Sequence, residues 1–311
     1  MTLSAVTRSR RALTALPVAA LTALSLAVPG SALAAQVDCG DVITKSTTLS
    51  ADVVCQPGDA GAVARDGKRY ALLVGANHVK LNLAGHSVEV PFRFAGGEFD
   101  GSVGVYGRHH VTIANGRLAE TVLLRSSHHN RLHHLRVDGF IGGVVLDASR
   151  ANRISHADVS GDQGSSVLLQ NGSHRNVVAW SNLHADNGLQ LLDSDRNVIK
   201  HNRSCSSVVP INVLRGSDRN LIRRNDVSCG GFMANIQVVE GARRNILVEN
   251  LANSHPDGDG ILVSDPSTVL IGNTANANSQ LGINAVQGVD GWGNRASGNG
   301  NSLQCAGVVC S

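Results

Sequence analysis

HRNVVAWSNL at 174–183, DRNVIKHNRS at 195–204 and DRNLIRRNDV at 218–227 are three copies of one phrase. Looser copies flank them: HHNRLHHLRV at 128–137, RANRISHADV at 150–159 and ARRNILVENL at 242–251. The anchoring asparagines are Asn130, Asn152, Asn176, Asn197, Asn220 and Asn245, spaced 21 to 25 residues apart. About 14 residues after each comes a second apolar run, often opened by Gly, such as GLQLLD at 188–193 or GILVSD at 260–265. A fixed period in this range marks a solenoid: each unit is too small to bury its own apolar face and stacks on the next.

Within a unit, apolar runs of three to five residues alternate with Gly, Asn, Asp and Ser, and stretches of strong helix formers are missing. YALLVGANHVKLNLAGHSVEV at 70–90 alternates apolar and polar residues with the period of a strand. GVYGRHHVTIANGRL at 104–118 repeats that layout, and worn copies follow at 265–278 and 288–299. A leucine-rich repeat needs Leu at fixed places, whereas Val and Ile substitute freely here. The pattern therefore predicts an all-β, single-domain parallel β-helix of about ten turns with capped ends. The expected division is a leader at 1–34, an N-terminal cap at 35–69, the coil at 70–300 and a disulfide-closed tail at 301–311. Equivalent residues would then stack about 4.8 Å apart. The anchoring asparagines become a hydrogen-bonded ladder at a bend, suited to a residue that tolerates left-handed backbone. A second series, Asn182, Asn202, Asn225, Asn250, Asn273 and Asn299, is expected to do the same.

Residues 1–34 have a basic start at Arg8, Arg10 and Arg11, an apolar Ala12–Val28 and an A-x-A site at 32–34, the pattern of a secretory signal. The apolar run is short and interrupted by Pro17, so a membrane span is not expected. The leader holds three Arg and no acid, so of 27 basic and 24 acidic residues 24 of each remain. That balance gives no nucleic-acid footprint. Six cysteines in an exported chain read as three disulfides. Cys39 and Cys55 flank one loop, Cys305 and Cys310 close another, and Cys205 and Cys229 stand at similar places in neighbouring repeats.

The Asn-anchored repeats, the AGHSVEV segment and the Cys-bounded N-terminal region resemble the secreted right-handed parallel β-helix proteins of the pectin-lyase-like superfamily, and within it the NosD-like repeat proteins. That resemblance covers roughly 36–311. It implies a right-handed coil and a role on polysaccharides, with lyases, hydrolases, epimerases and non-catalytic proteins all represented. A NosD-like chain also implies association with copper.

Aligning the repeats places polar residues just after the second apolar run: Asp147, Gln170, Asp193, Arg215, Glu240, Asp265 and Gln287. One position inside it gives Gln190, Asn212 and Gln237. Such rows would line a groove stepped at about 5 Å, near a sugar repeat. Gln190, Asp193, Asn212, Gln237 and Glu240 are the expected substrate-binding residues. The segment HPDGDGI interrupts the repeat with the densest acidic cluster, and it supplies the catalytic candidates His255, Asp257 and Asp259 beside Arg215. Asp257 and Asp259 could bind Ca²⁺ or act as an acid–base pair. Arg215 breaks an otherwise acidic or amide row and suits a carboxylate clamp; His184 and His201 are alternative bases. The complete active-site sets of pectate lyases and polygalacturonases are not recognisable. The doublets His109–His110, His128–His129 and His133–His134 recur at repeat spacing and could bind Cu²⁺ or Zn²⁺.

The expected protein is thus a secreted monomer that binds anionic, uronate-containing polysaccharide, with lyase or C5-epimerase chemistry open. A non-catalytic carbohydrate-binding or cell-surface module and a His-based copper protein are the alternatives.

Overall fold

The computed structural model describes residues 36–91, 99–140, 142–287 and 289–311. The expected leader lies outside them. Two parallel sheets, of 13 and 16 strands, run the length of the coil. Each turn contributes a strand to the first sheet and then one to the second, as Asn187–Leu191 and Val198–Lys200 do. The coil makes about nine turns, close to the ten expected. Among the described residues every regular element is a strand.

The segment expected as a cap already adds a rung: Asp41–Ile43 pairs with Leu72–Val74, and Thr47–Thr48 with Leu81–Asn82. Its one antiparallel piece, Ala62–Val63 against Arg69–Tyr70, folds over the edge. At the other end Cys305–Ala306 pairs with Ile283–Asn284, so the expected tail is the last rung of the first sheet.

Strand alternation sets the interior. Leu132, Ile154, Val178, Ile199, Ile222, Leu247 and Leu270 stand in register on successive turns and are fully buried. Truncating one such side chain to Ala would cost about 2–5 kcal/mol.

The corners are riveted by amides. Asn176 donates from its backbone N–H (2.9 Å) and from Nδ2 (3.1 Å) to Asn197 Oδ1 on the next turn, and Nδ2 also reaches back to the Ser149 carbonyl at 2.9 Å. Asn130, Asn152, Asn197 and Asn220 hand on the same backbone bond. A second ladder runs Asn202, Asn225, Asn250, Asn273 and Asn294. Its membership corrects the expected series. Ser181, not the exposed Asn182, heads it, and Asn299 belongs to a third ladder that runs His255, Asn278, Asn299 and Gln304. Ser127, Ser149 and Ser173 form a further row.

The left-handed residue also differs from expectation. The inward Asn is not the strained one; the residue just before it is, with φ between 53° and 56° at Arg175, Arg196, Arg219 and Arg244. The bend turns the Asn side chain into the coil and its predecessor out to solvent. Disulfides join Cys39 to Cys55, Cys305 to Cys310, and Cys205 to Cys229 across successive turns.

Candidate functional site

On the first sheet, Gln190, Asn212 and Gln237 stand in register on three consecutive turns. Their neighbours along each strand, Leu189 and Leu191, Ile211 and Val213, Ile236 and Val238, are fully buried, which turns the three carboxamides outward. The row continues to Leu168 on one side and to Leu262 and Asn284 on the other. Asn212 is 8% exposed, and its Oδ1 has no hydrogen-bond partner among the described residues. An unpaired buried carbonyl oxygen costs about 1–3 kcal/mol; this one is out of solvent contact, so the Asn212 carboxamide would have to turn before a ligand hydroxyl or a water could satisfy it.

Asp193, Arg215 and Glu240 follow three residues after the amides, where the same strands turn toward the second sheet. Arg215 and Glu240 line one shallow cavity of about 440 Å³ with Asp218 and Arg243. Two glycines make room for it. A Cβ on Gly241 would sit 3.2 Å from Arg215 Cγ, and one on Gly216 would sit 3.0 Å from Asp193 Oδ1. The wider row expected from alignment is split in function: Asp147 is buried and paired with Arg125, and Asp265 accepts the Gly241 N–H at 3.1 Å.

The acidic insertion does not gather at that cavity. His255, expected to face a groove, is only 1% exposed, because it fills the inward corner position that Asn278 and Asn299 take on the following turns. Its Nδ1 accepts the Asp257 N–H at 3.2 Å, so Nε2 carries the proton of the neutral ring, and Nε2 has no partner among the described residues. Burial pushes its pKa down, against the pull of Asp257 and Asp259. A group that is buried and neutral cannot meet a polymer at the surface. Asp259 is held locally: Oδ1 accepts the Leu281 N–H at 2.9 Å and Oδ2 accepts Asn284 Nδ2 at 2.8 Å. Asp257 is exposed. His184 faces solvent 3.7 Å from Asp158.

The histidine doublets pile up as expected of a coil. His78 stacks on His110 at 4.8 Å between ring centroids, His110 on His129 at 5.4 Å, and His109 on His128 at 5.0 Å. The ring nitrogens of His78, His109 and His110 lie within 4.8 Å of one another. Burial and the neighbouring imidazoles lower the pKa of His110. Cys39, Cys55 and Asp59 also cluster, but the two sulfurs are spent in a disulfide.

Sequence reading missed two features. Tyr106, Arg125 and Asp147 share a column, and the Tyr106 hydroxyl bonds Tyr70 at 2.8 Å and Asp66 at 3.1 Å while Arg125 bridges Asp66 and Asp147. Burial raises the Tyr106 pKa to about 12, so that hydroxyl stays protonated. The exposed Trp180 lies flat on His201 with centroids 4.0 Å apart. Aligning the residue before each inward corner would have shown that pair.

The family model described as periplasmic copper-binding protein (NosD) matches residues 96–230. No curated protein matches the sequence. Among solved structures, PfbA, a surface adhesin of Streptococcus pneumoniae, is 10% identical over 85% of this chain and 81% of its own, with a TM-score of 0.61. The periplasmic alginate epimerase AlgG is 14% identical over 84% and 69%, with a TM-score of 0.54. DFA-IIIase from Arthrobacter chlorophenolicus in complex with DFA-III is 13% identical over 78% of this chain and 63% of its own, at 0.53. Identities this low establish a shared fold and leave chemistry to the site itself. The chain is a parallel β-helix repeat protein, and its residues 96–230 match the NosD family model.

Proposed function

We propose that this protein binds a polysaccharide chain laid along the coil axis over Gln190, Asn212 and Gln237, outside the cytoplasm. The carrying observation is the in-register row of three amides on consecutive turns, each flanked by inward apolar residues. Carboxamides both donate and accept, which suits sugar hydroxyls, and the rung spacing of about 4.8 Å is near that of one sugar unit. Arg215, beside Glu240 at the ends of the same strands, supplies a clamp for a uronate carboxylate. Three disulfides fit an oxidising compartment. Structural neighbours that include an alginate epimerase and a DFA-III complex support a carbohydrate-related role.

Lyase or C5-epimerase chemistry requires a base at the sugar, and His255 is too deeply placed to be that base. Binding is the core of the reading, and any turnover would fall to the exposed candidates Arg215, His184 or Asp257. A glycan panel presented to the purified protein tests it: at least one polymer should bind, and Asn212→Ala with Gln237→Ala should weaken it. No binding across the panel, or binding indifferent to both changes, would overturn it. Absorbance of unsaturated ends after incubation with uronate polymers reports any lyase turnover, and NMR of the product reports epimerisation.

The histidine cluster favours a second reading. Three imidazoles whose nitrogens converge within 4.8 Å fit a copper or zinc ion, which His78, His109 and His110 would hold. Tag-free protein should then carry the metal by elemental analysis, and His109→Ala should remove it.

A further inference from the structure

The residues forced out at the corner between the two sheets form a column of their own. On successive turns it reads His110, His129, Ala151, Arg175, Arg196, Arg219 and Arg244, each immediately before a corner of the first asparagine ladder. The four arginines are exposed and stand on consecutive rungs over about 14 Å. Arg117, Arg125, Arg136, Arg223 and Arg224 are all paired with carboxylates. Among the described residues the four corner arginines have no such pair. Asp195 and Asp218, the acids adjacent in sequence to Arg196 and Arg219, accept backbone N–H groups from Asp218 and Arg243 at 2.8 and 2.7 Å.

Ala151 breaks the column of long side chains, and a cavity of about 420 Å³ opens at that rung. It is lined by His110, His129, Arg131 and Arg153 among others, and Arg131 and Arg153 are register partners on adjacent turns. Neither of those two arginines is ion-paired among the described residues. Left-handed backbone at a non-glycine residue is strained, because Cβ approaches the carbonyl oxygen. Glycine would meet these corners without that strain, yet arginine occupies four rungs running.

We propose that this ridge is a track for a linear polyanion carrying one carboxylate per sugar, seated with its axis along the coil and one carboxylate per rung, with the notch at Ala151 as its deepest subsite. The proposal goes beyond the amide row and stands independently of it. The whole-chain charge balance gives no sign of the ridge, because Asp195 and Asp218 beside it count against its arginines while accepting backbone N–H groups. A single-stranded nucleic acid is the less suitable occupant: such sites interleave cations with stacking aromatics, and the exposed aromatics Trp180, Phe232 and Trp292 lie off this column.

Titration calorimetry with oligogalacturonate, its methyl ester and single-stranded DNA tests the track, at about 0.05 M and about 0.5 M salt. Wild-type protein should bind oligogalacturonate more tightly at low salt and bind the ester and DNA weakly. Arg175→Gln, Arg196→Gln, Arg219→Gln and Arg244→Gln combined should cost about tenfold or more in affinity and flatten the salt dependence, with an unchanged unfolding midpoint. Arg136→Gln, at an exposed arginine paired with Asp138 and off the ridge, should leave this binding in place. Wild-type affinity in the fourfold variant overturns the track and leaves the amide row standing. Equal binding of the ester overturns it, and so does tighter binding of DNA. A wild-type protein that binds no polymer, charged or neutral, overturns both readings.

Discussion

Asn197 and Arg196 are adjacent in the chain and opposite in fate. Asn197 is completely buried and spends its amide on the turns above and below. Arg196 is exposed, holds a left-handed backbone and has no ion-pair partner among the described residues. The same contrast repeats at Arg175 and Asn176, Arg219 and Asn220, and Arg244 and Asn245. Every corner of this ladder thus presents one residue to the fold and one to the surroundings. The inward member is constrained by its ladder neighbours. The outward member is free to vary, so what it is says more about what the protein meets.

Breaking the inward side should have the largest effect. Asn220→Ala removes the acceptor for the Asn197 N–H and Nδ2 and the donor to the Ser194 carbonyl. With several buried groups left unpaired, about 2–4 kcal/mol of stability should go, read as a shift in the denaturation midpoint. A midpoint unmoved by this change would mean that the ladder is decoration.

His255 sharpens the comparison, because an inward corner holds an imidazole there. Gly230→Ala would place a Cβ 2.4 Å from the His255 ring and should destabilise by about 1–3 kcal/mol. Acid supplies a further test. Burial holds the folded-state pKa of His255 below the ordinary value of about 6.5. The unfolded chain therefore takes up its proton first. Stability from this group is present above about pH 6.5 and is lost as pH falls through the folded pKa. His255→Asn, which restores the ladder's usual residue, should lose less stability than wild type between pH 7.5 and 5. Equal losses would show that the ring is not desolvated in the fold.

The smallest effect belongs to the outward side. Arg196→Gly relieves left-handed strain while loosening the unfolded chain, so stability should change by less than about 1 kcal/mol. A loss comparable to that of Asn220→Ala would abolish the division between the two columns.

The coil was legible because its cause is repetitive: buried Val, Ile and Leu in register force the same letters every turn. The first ladder was readable for that reason, since a carboxamide both donates and accepts at a closed corner. Ser181 and His255 were harder, because a corner position tolerates a different solution on one turn. The row of Gln190, Asn212 and Gln237 was found by alignment alone. The Arg215–Glu240 cavity was only half visible, since it depends on the bare backbone at Gly216 and Gly241. Arg175, Arg196, Arg219 and Arg244 stood in the quoted phrases throughout. Their meaning emerged only with the backbone angle, which shows that they point away from the asparagines beside them.

The structure of the protein bound to a galacturonate hexamer tests this division most directly. The sugar chain should run parallel to the coil axis, with successive carboxylates against Arg175, Arg196, Arg219 and Arg244. A hexamer lying across the turns, or seated at the Asp257 loop, would contradict it.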